Sequence, residues 1–273
     1  LGREHGADGA FLAGGTELLP DFQRGRERSR HLIALDAVEE LAGIRETGGE
    51  LRIGALATIA EIARSPRVRT WCEALAEAAA SIGSPPIRSR ATIGGNFCRA
   101  VPCADTPAPC IAAETRVRLV GPDGERELPA EAFFVGSRRT ALRAGELLVE
   151  VILPAQPSAA ASHYQRFTRR RGSALAVASV AVRLSLSGRN IATARVVYGA
   201  VSSTPLLSAC LEAMLVGKAP TDALFAHAAA VSIDEALGAT DVRRSDSLRR
   251  SVLPVLTRRA LAEAAARAAR RSA

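Results

Sequence analysis

Two glycine-pair loops, Ala13-Gly14-Gly15-Thr16-Glu17-Leu18 and Ala91-Thr92-Ile93-Gly94-Gly95-Asn96, stand 80 residues apart in a chain of 273. Each follows or flanks a strand-like stretch, and each joins two residues without a β-carbon to a small hydroxyl or amide side chain. Such a loop lets backbone N–H groups come within hydrogen-bonding reach of a phosphate, because nothing projects to hold the ligand off. Two of them suit a ligand with linked phosphates and a long body, a dinucleotide. No competing acid–base or nucleophile cluster is visible elsewhere.

The chain is long enough for two or three lobes, each with its own core. Its longest apolar stretches, Ala174 to Val182 and the helical run Ala260 to Ala269, are too short or too charged to span a bilayer. Arg3, Glu4, His5 and Asp8 interrupt any signal-like apolar core, so a cytosolic setting is expected. The net charge of +8 invites a nucleic-acid reading. That reading is set aside: Lys218 is the only lysine, and the arginines are spread along the chain rather than interleaved with aromatics in one patch. Arg169-Arg170-Arg171 and Arg243-Arg244 are expected on solvated or subunit-contact faces.

Five cysteines, an odd number without a secretion signal, argue against a disulfide scaffold. Cys98, Cys103 and Cys110 are separated by four and then six residues, which fits neither common ferredoxin spacing. They are expected to be small buried side chains, with ligation of an iron–sulfur cluster left open as the alternative. His5, His31, His163 and His227 show no ligand spacing.

Along the chain, Leu1 to Asp8 reads as the end of a helix, followed by the strand Ala10-Phe11-Leu12-Ala13, the first loop, and a short helix from Leu18 to Phe22. Strands are expected at His31 to Leu35 and Leu51 to Gly54, closing a first lobe at 1–54. In the second lobe, 55–155, Thr58 and Glu61 form a capping-box signature. One helix is predicted from Val68 to Ser81, stopped by Gly83-Ser84-Pro85-Pro86. A helix follows from Asp105 to Ala113, then a hairpin around Gly121-Pro122-Asp123-Gly124 and a strand from Leu147 to Leu153. Pro154 to Ser162 reads as a linker. The remaining domain, 160–273, is expected to hold three antiparallel strands (Tyr164 to Phe167, Ala176 to Leu186, Ile191 to Ala200) and then helices near Pro205 to Val216, Thr221 to Ala236 and Ser247 to Arg270. The fold class is therefore α+β.

The order of these motifs resembles the FAD-binding medium subunit of the molybdenum hydroxylases, the xanthine dehydrogenase and carbon monoxide dehydrogenase family. The first loop resembles the family's first FAD loop. Arg90 to Cys98, continued by Pro102-Cys103-Ala104-Asp105, resembles its second. Thr140, Leu142, Glu146-Leu147-Leu148 and Pro154 resemble the strand before its C-terminal domain. Phe167, Arg170, Gly172 and Ala174 to Val182 resemble the opening strands of that domain, and Asp241 to Ser245 with Leu248-Arg249-Arg250 the approach to its last helix. Relatives usually place a short strand and a helix before the first loop. That leaves a truncated chain, a misassigned start or a dispensable first strand as readings of Leu1.

The resemblance implies a two-lobed FAD-binding domain of the vanillyl-alcohol-oxidase/PCMH type with a C-terminal three-stranded α+β domain. It implies an electron-transfer role beside an iron–sulfur subunit and a molybdopterin-binding large subunit, as a dimer of heterotrimers, and no metal in this chain, which lacks the cysteine-bearing insertion of the relatives that hold an added cluster. For FAD it points to Leu12, Ala13, Gly14, Gly15, Thr16, Glu17 and Leu18 in the first loop, and to Thr92, Ile93, Gly94, Gly95 and Asn96 in the second. Asp105 is read as an acceptor for sugar hydroxyls, or as a helix N-cap. Ile82 and Leu148, core residues by pattern, are placed near the flavin by resemblance. So is Arg166, which stands where xanthine dehydrogenase-like relatives carry lysine. Two other readings remain: an autonomous FAD oxidase, which would need a larger substrate lobe, and a non-enzymatic assembly or nucleotide-binding protein with the same fold.

Overall fold

A computed structural model describes residues 2–5, 8–157, 159–170, 172–236 and 246–272. The chain begins with α1 (Gly2–His5), β1 (Gly9–Leu12), α2 (Leu18–Gln23) and β2 (His31–Ala34). β1 and β2 run parallel, with α2 as the crossover. This small lobe has little apolar surface of its own. Leu35 and Leu41 bury themselves against Val149, with Phe11, Ala13 and Leu56 around them, so its core is completed by the second lobe.

Next come β3 (Ile44–Thr47), β4 (Glu50–Gly54), α3 (Ile59–Arg64), α4 (Pro66–Trp71), α5 (Glu73–Ser81), α6 (Pro85–Arg88), α7 (Ile93–Arg99) and α8 (Pro107–Ala112). β5 (Arg116–Gly121), β6 (Gly124–Pro129), α9 (Ala130–Phe133), β7 (Phe134–Gly136), β8 (Arg139–Thr140) and β9 (Leu147–Leu153) complete the lobe. One antiparallel sheet of order β3-β4-β9-β5-β6 organises it. The expected boundary at residue 54 cuts that sheet, because β4 pairs with β9 from Leu51↔Leu153 to Gly54↔Glu150. The alternation of strands sorts its faces. Leu51, Ile53, Val117, Leu119, Val151 and Leu153 enter the main core. On the opposite face the fully buried Glu150 is ringed by Arg45, Arg52 at 3.2 Å and Arg118 at 3.0 Å. A carboxylate taken this far from water needs such partners.

The Thr58–Glu61 capping box forms as expected at the start of α3. The single helix predicted from Val68 to Ser81 is instead α4 and α5, broken at the extended Cys72 (φ −157°, ψ 93°). The free amide of Ala74 at the new helix start is taken by Ser162 Oγ at 3.0 Å. That partner comes from across the fold, so local sequence carries no sign of the break.

The C-terminal domain holds β10 (Ala160–Thr168), β11 (Ala176–Ser187), β12 (Asn190–Gly199), β13 (Leu206–Leu207), α10 (Ala209–Leu215), α11 (Asp222–Ala236) and α12 (Asp246–Ser272). Its sheet has four strands rather than the expected three: Leu206 and Leu207, assigned to a helix by sequence, pair with Tyr198 and Val197. The apolar run along β11 is buried on both faces, as in strands covered on two sides. Val180 and Val182 pack into the core of α11 and α12, whereas Ala181 joins the core of the preceding domain. Polar groups reinforce this seam. Glu77 of α5 accepts from the backbone N–H of Tyr164 at 2.9 Å and pairs with Arg267 of α12 at 2.7 Å, and Glu73 pairs with Arg271 at 2.5 Å. No described helix is long and apolar enough to cross a membrane.

Candidate functional site

The two glycine loops meet. A β-carbon on Gly14 would lie 1.8 Å from the carbonyl oxygen of Arg90 and 3.1 Å from Ala91 Cα, so a hydrogen is all that fits between the backbones. Gly15 has φ +73°, a left-handed conformation that side chains disfavour, and its absent β-carbon would also press on Leu19 at 2.9 Å. Among the described residues, the amides of Gly14, Gly15, Thr16 and Glu17 donate to no protein acceptor. These residues lie at or near the surface, with Glu17 exposed and the others half-buried. Leu12 and Ala13 lead into the turn and Leu18 opens α2.

The second loop is built differently. Its amides already have partners: Ile93 donates to Ala57 O (3.1 Å), Gly94 to Ala55 O (2.9 Å), Gly95 to Thr92 Oγ1 (3.1 Å) and Asn96 to Thr92 O (3.0 Å). Thr92 is thus the N-cap of α7. Gly94 is buried, and a β-carbon there would meet Ala55 Cβ and O at 2.8 Å each. The Gly94 amide is therefore satisfied within the protein, and this glycine is required for close packing of backbone on backbone. Ile93 is fully buried in the core. Only Gly95, exposed, and Asn96, half-buried, face outward, and Asn96 Oδ1 accepts from Thr106 Oγ1 at 2.6 Å.

Asp105 is not the N-cap of α8, a position held by Thr106. It is 6% exposed, with Oδ1 accepting from Tyr164 Oη at 2.5 Å and Oδ2 from Arg166 Nη1 at 3.0 Å. Burial pushes the Asp105 carboxyl above its ordinary value, against the opposing charge of Arg166 and its hydrogen bonds to Tyr164 and Arg166. Burial and the neighbouring Asp105 also push the Tyr164 phenol well up, so Tyr164 stays a donor. Arg166 spends its other arm on the carbonyl of Ser81, beside Ile82 at the end of α5. Ile82 is half-buried against the main core, and its carbonyl accepts from Arg88 Nη1 at 2.7 Å. Leu148 is 1% exposed and packs within that core.

Sequence reasoning passed over Tyr164, Arg99 and Asp21. Tyr164 and Arg166 share one face of β10 by strand periodicity, a usable signal once Arg166 is in view. Asp21 lies one turn after Glu17, and Arg99 of α7 reaches both. Among the cysteines, Cys72 and Cys110 are buried and Cys103 half-buried, but Cys98 is exposed, contrary to expectation. Burial pushes the Cys72 thiol up to about 11. Asp241 to Ser245, the expected approach to the last helix, lies outside the described residues.

The two glycine loops pack against each other in a mixed α/β fold, with a helix-backed sheet following. Comparisons with known proteins give the class. Residues 3–156 match the family model described as the FAD binding domain in molybdopterin dehydrogenase, and residues 162–264 that of the CO dehydrogenase flavoprotein C-terminal domain. The chain belongs to this family of FAD-binding medium subunits of molybdenum hydroxylases. It is 35% identical over 264 residues to the carbon monoxide dehydrogenase medium chain of Hydrogenophaga pseudoflava, covering 97% of this chain and 92% of that one. It is 29% identical over 262 residues to the putative xanthine dehydrogenase FAD-binding subunit XdhB of Escherichia coli K12, covering 94% and 89%. The solved structure of the Hydrogenophaga carbon monoxide dehydrogenase that lacks the Mo-pyranopterin moiety matches with a TM-score of 0.92 at 35% identity, over 97% of this chain and 92% of that chain.

Proposed function

We propose that this chain binds FAD across its two glycine loops and serves as the electron-transfer subunit of a molybdenum hydroxylase, between a partner's iron–sulfur clusters and an external acceptor. Its partners in this reading are an iron–sulfur subunit and a molybdopterin-binding large subunit, assembled as a dimer of heterotrimers, with a cytosolic setting. The fold counterpart is a two-lobed FAD-binding domain of the vanillyl-alcohol-oxidase/PCMH type followed by the C-terminal domain.

The observation that carries the binding claim is the set of unpartnered amides from Gly14 to Glu17, held against the second loop by the Gly14–Arg90 contact. Backbone N–H groups left without an acceptor at a surface turn suit a diphosphate, which offers several acceptors and the opposite charge. The hydroxyl of Thr16 would add a donor. From the second loop, Thr92 Oγ1 accepts from Gly95 N and keeps its own proton to give, and Asn96 has its amide NH2 free of protein partners among the described residues while its oxygen is held by Thr106. Gly95 would let the dinucleotide approach α7 closely. Ile82 would form an apolar wall, whereas Asp105 and Arg166 would fix the end of α5 rather than grip sugar. Bound FAD supplies the ability to take up and release electrons singly or in pairs, which the side chains of this chain lack.

Titration of the flavin-free full chain with FAD, followed by flavin fluorescence, tests the reading. Saturable binding of one FAD per chain, much tighter than binding of the monophosphate FMN, is expected. Equal affinity for both flavins, or none for either, would refute a diphosphate grip. The autonomous-oxidase reading gains no support from a described chain whose two domains are both accounted for by this family.

A further inference from the structure

Glu17 and Asp21 stand one helical turn apart at the start of α2, immediately after the unpartnered amides of the first loop. Like charges at that spacing repel, and here they also sit beside a cradle whose proposed occupant is an anion. Asp21 is 5% exposed, so water does little to relieve it. The relief comes from the other loop. Gly95 and Asn96 lie four and three residues before Arg99 on α7, hence each on the side of the helix that Arg99 shares, and Arg99 extends to α2. Its Nε lies 3.2 Å from Glu17 Oε2 and its Nη2 bonds Asp21 Oδ2. Arg138, at 3.8 Å, and the more exposed Arg26, at 4.0 Å, supply weaker positive charge to Asp21. Burial works to raise the Asp21 carboxyl, yet Arg99, with Arg138 and Arg26 behind it, holds it below its ordinary value.

We propose that Arg99 is a positioning residue for the dinucleotide: by bridging Glu17 and Asp21 it offsets their negative charge beside the diphosphate cradle and fixes the first loop against the second. It acts through those carboxylates and not by touching the ligand. This inference rests on the FAD reading above. A planar guanidinium with donors on two sides can span both carboxylates, which a lysine ammonium cannot.

The test is FAD titration of the full chain as wild type, Arg99→Gln, Arg99→Lys and Arg99→Gln/Asp21→Asn, with thermal midpoints of the flavin-free proteins alongside. Arg99→Gln is expected to weaken FAD binding about tenfold, because the binding-competent cradle is less populated and two charges are left exposed to the anion. Arg99→Lys should lose less than the glutamine variant. Adding Asp21→Asn should restore part of the lost affinity, since it removes one of the unneutralised charges. No recovery in the double variant would mean direct contact between Arg99 and FAD and would overturn the proposal. A lowered midpoint with unchanged affinity would reduce Arg99 to a structural ion pair and overturn it equally. If Arg99→Gln does not fold, the lysine variant decides, with wild-type affinity counting against the proposal. A wild-type chain that takes up no FAD would remove the underlying reading instead.

Discussion

Adjacent glycines in the second loop should respond in opposite ways to the same methyl group. At Gly94 the new carbon would sit 2.8 Å from both Ala55 Cβ and Ala55 O, and the latter already accepts the Gly94 amide. Backbone cannot swing aside as a flexible side chain can, so overpacking of about 1–3 kcal/mol is expected. Alanine in a helix recovers about 1 kcal/mol relative to glycine, leaving a net loss of up to about 2 kcal/mol. At Gly95 the only neighbour within reach is Thr92 Oγ1 at 3.1 Å, which can give by a few tenths of an ångström. There the helix gain of up to about 1 kcal/mol should survive.

The consequence is a separation of folding from binding. Thermal unfolding of the flavin-free chain should show Gly94→Ala about 4 °C below wild type and Gly95→Ala level with it or about 2 °C above, at about 2 °C per kcal/mol for a chain of this size. FAD titration should order them differently. Gly95→Ala puts a methyl on the exposed side of α7 and is expected to bind about tenfold more weakly, equivalent to about 1.4 kcal/mol, in a protein that is no less stable. Wild-type affinity in Gly95→Ala would refute the placement of the ligand against α7. Wild-type stability in Gly94→Ala would refute the packing argument.

Two further outcomes follow from the ion pairs. Glu146 receives both arms of Arg126 at 2.7 Å and the amide of Arg143 at 2.7 Å, and the Arg126 hydrogen bonds lead in holding its carboxyl down to about 2, against burial. A depressed carboxylate contributes stability that is fully present above its unfolded value near 4.5 and is lost as pH falls through about 2. Glu146→Gln should therefore lose about 1–2 kcal/mol in urea unfolding at pH 7, discounted for screening, with the gap to wild type closing between pH 4.5 and 2. A gap independent of pH would refute the assignment. Arg166→Met should leave Asp105 buried with its charge unmatched and lower stability by about 3 kcal/mol. The double variant with Asp105→Asn should recover much of that loss, and strict additivity would count against the pairing.

How much of this was legible depended on how local the cause was. The capping box at Thr58 and Glu61, the strand from Leu147 to Leu153 and the hairpin at Gly121 to Gly124 depend on residues a few positions apart, and sequence found them. The break at Cys72 depends on Ser162, and the fourth strand of the C-terminal sheet on an edge of β12, neither of which a window of sequence contains. The lobe boundary at 54 failed for the same reason, since β4 finds its partner β9 about a hundred residues later. At the candidate site, both loops were visible from their glycine pairs, although a third pair, Gly48-Gly49, makes only the β3–β4 hairpin turn. Their separate purposes were not. Gly14 and Gly94 are needed by neighbouring backbone, at Arg90 and Ala55, and only Gly95 and the first-loop amides are left for something else.

Asp105 shows why the candidate site is a property of both domains. Its carboxylate belongs to the segment after α7, yet Tyr164 and Arg166, the groups that make its burial tolerable, project from the first strand of the C-terminal domain. Arg166 also holds the carbonyl of Ser81, which fixes the end of α5 next to Ile82. Without those two side chains the carboxyl, 6% exposed in the intact fold, would lose its partners, and the chain would have to take up a proton there or open to water. The same seam carries Glu73 and Glu77 against Arg271 and Arg267 on one side and the shared burial of Ala181 on the other. A C-terminal domain that only covered the sheet would need apolar contacts alone. One that places an arginine between Asp105 and the end of α5 sets the shape of the surface beside Ile82, and so bears on whatever binds there.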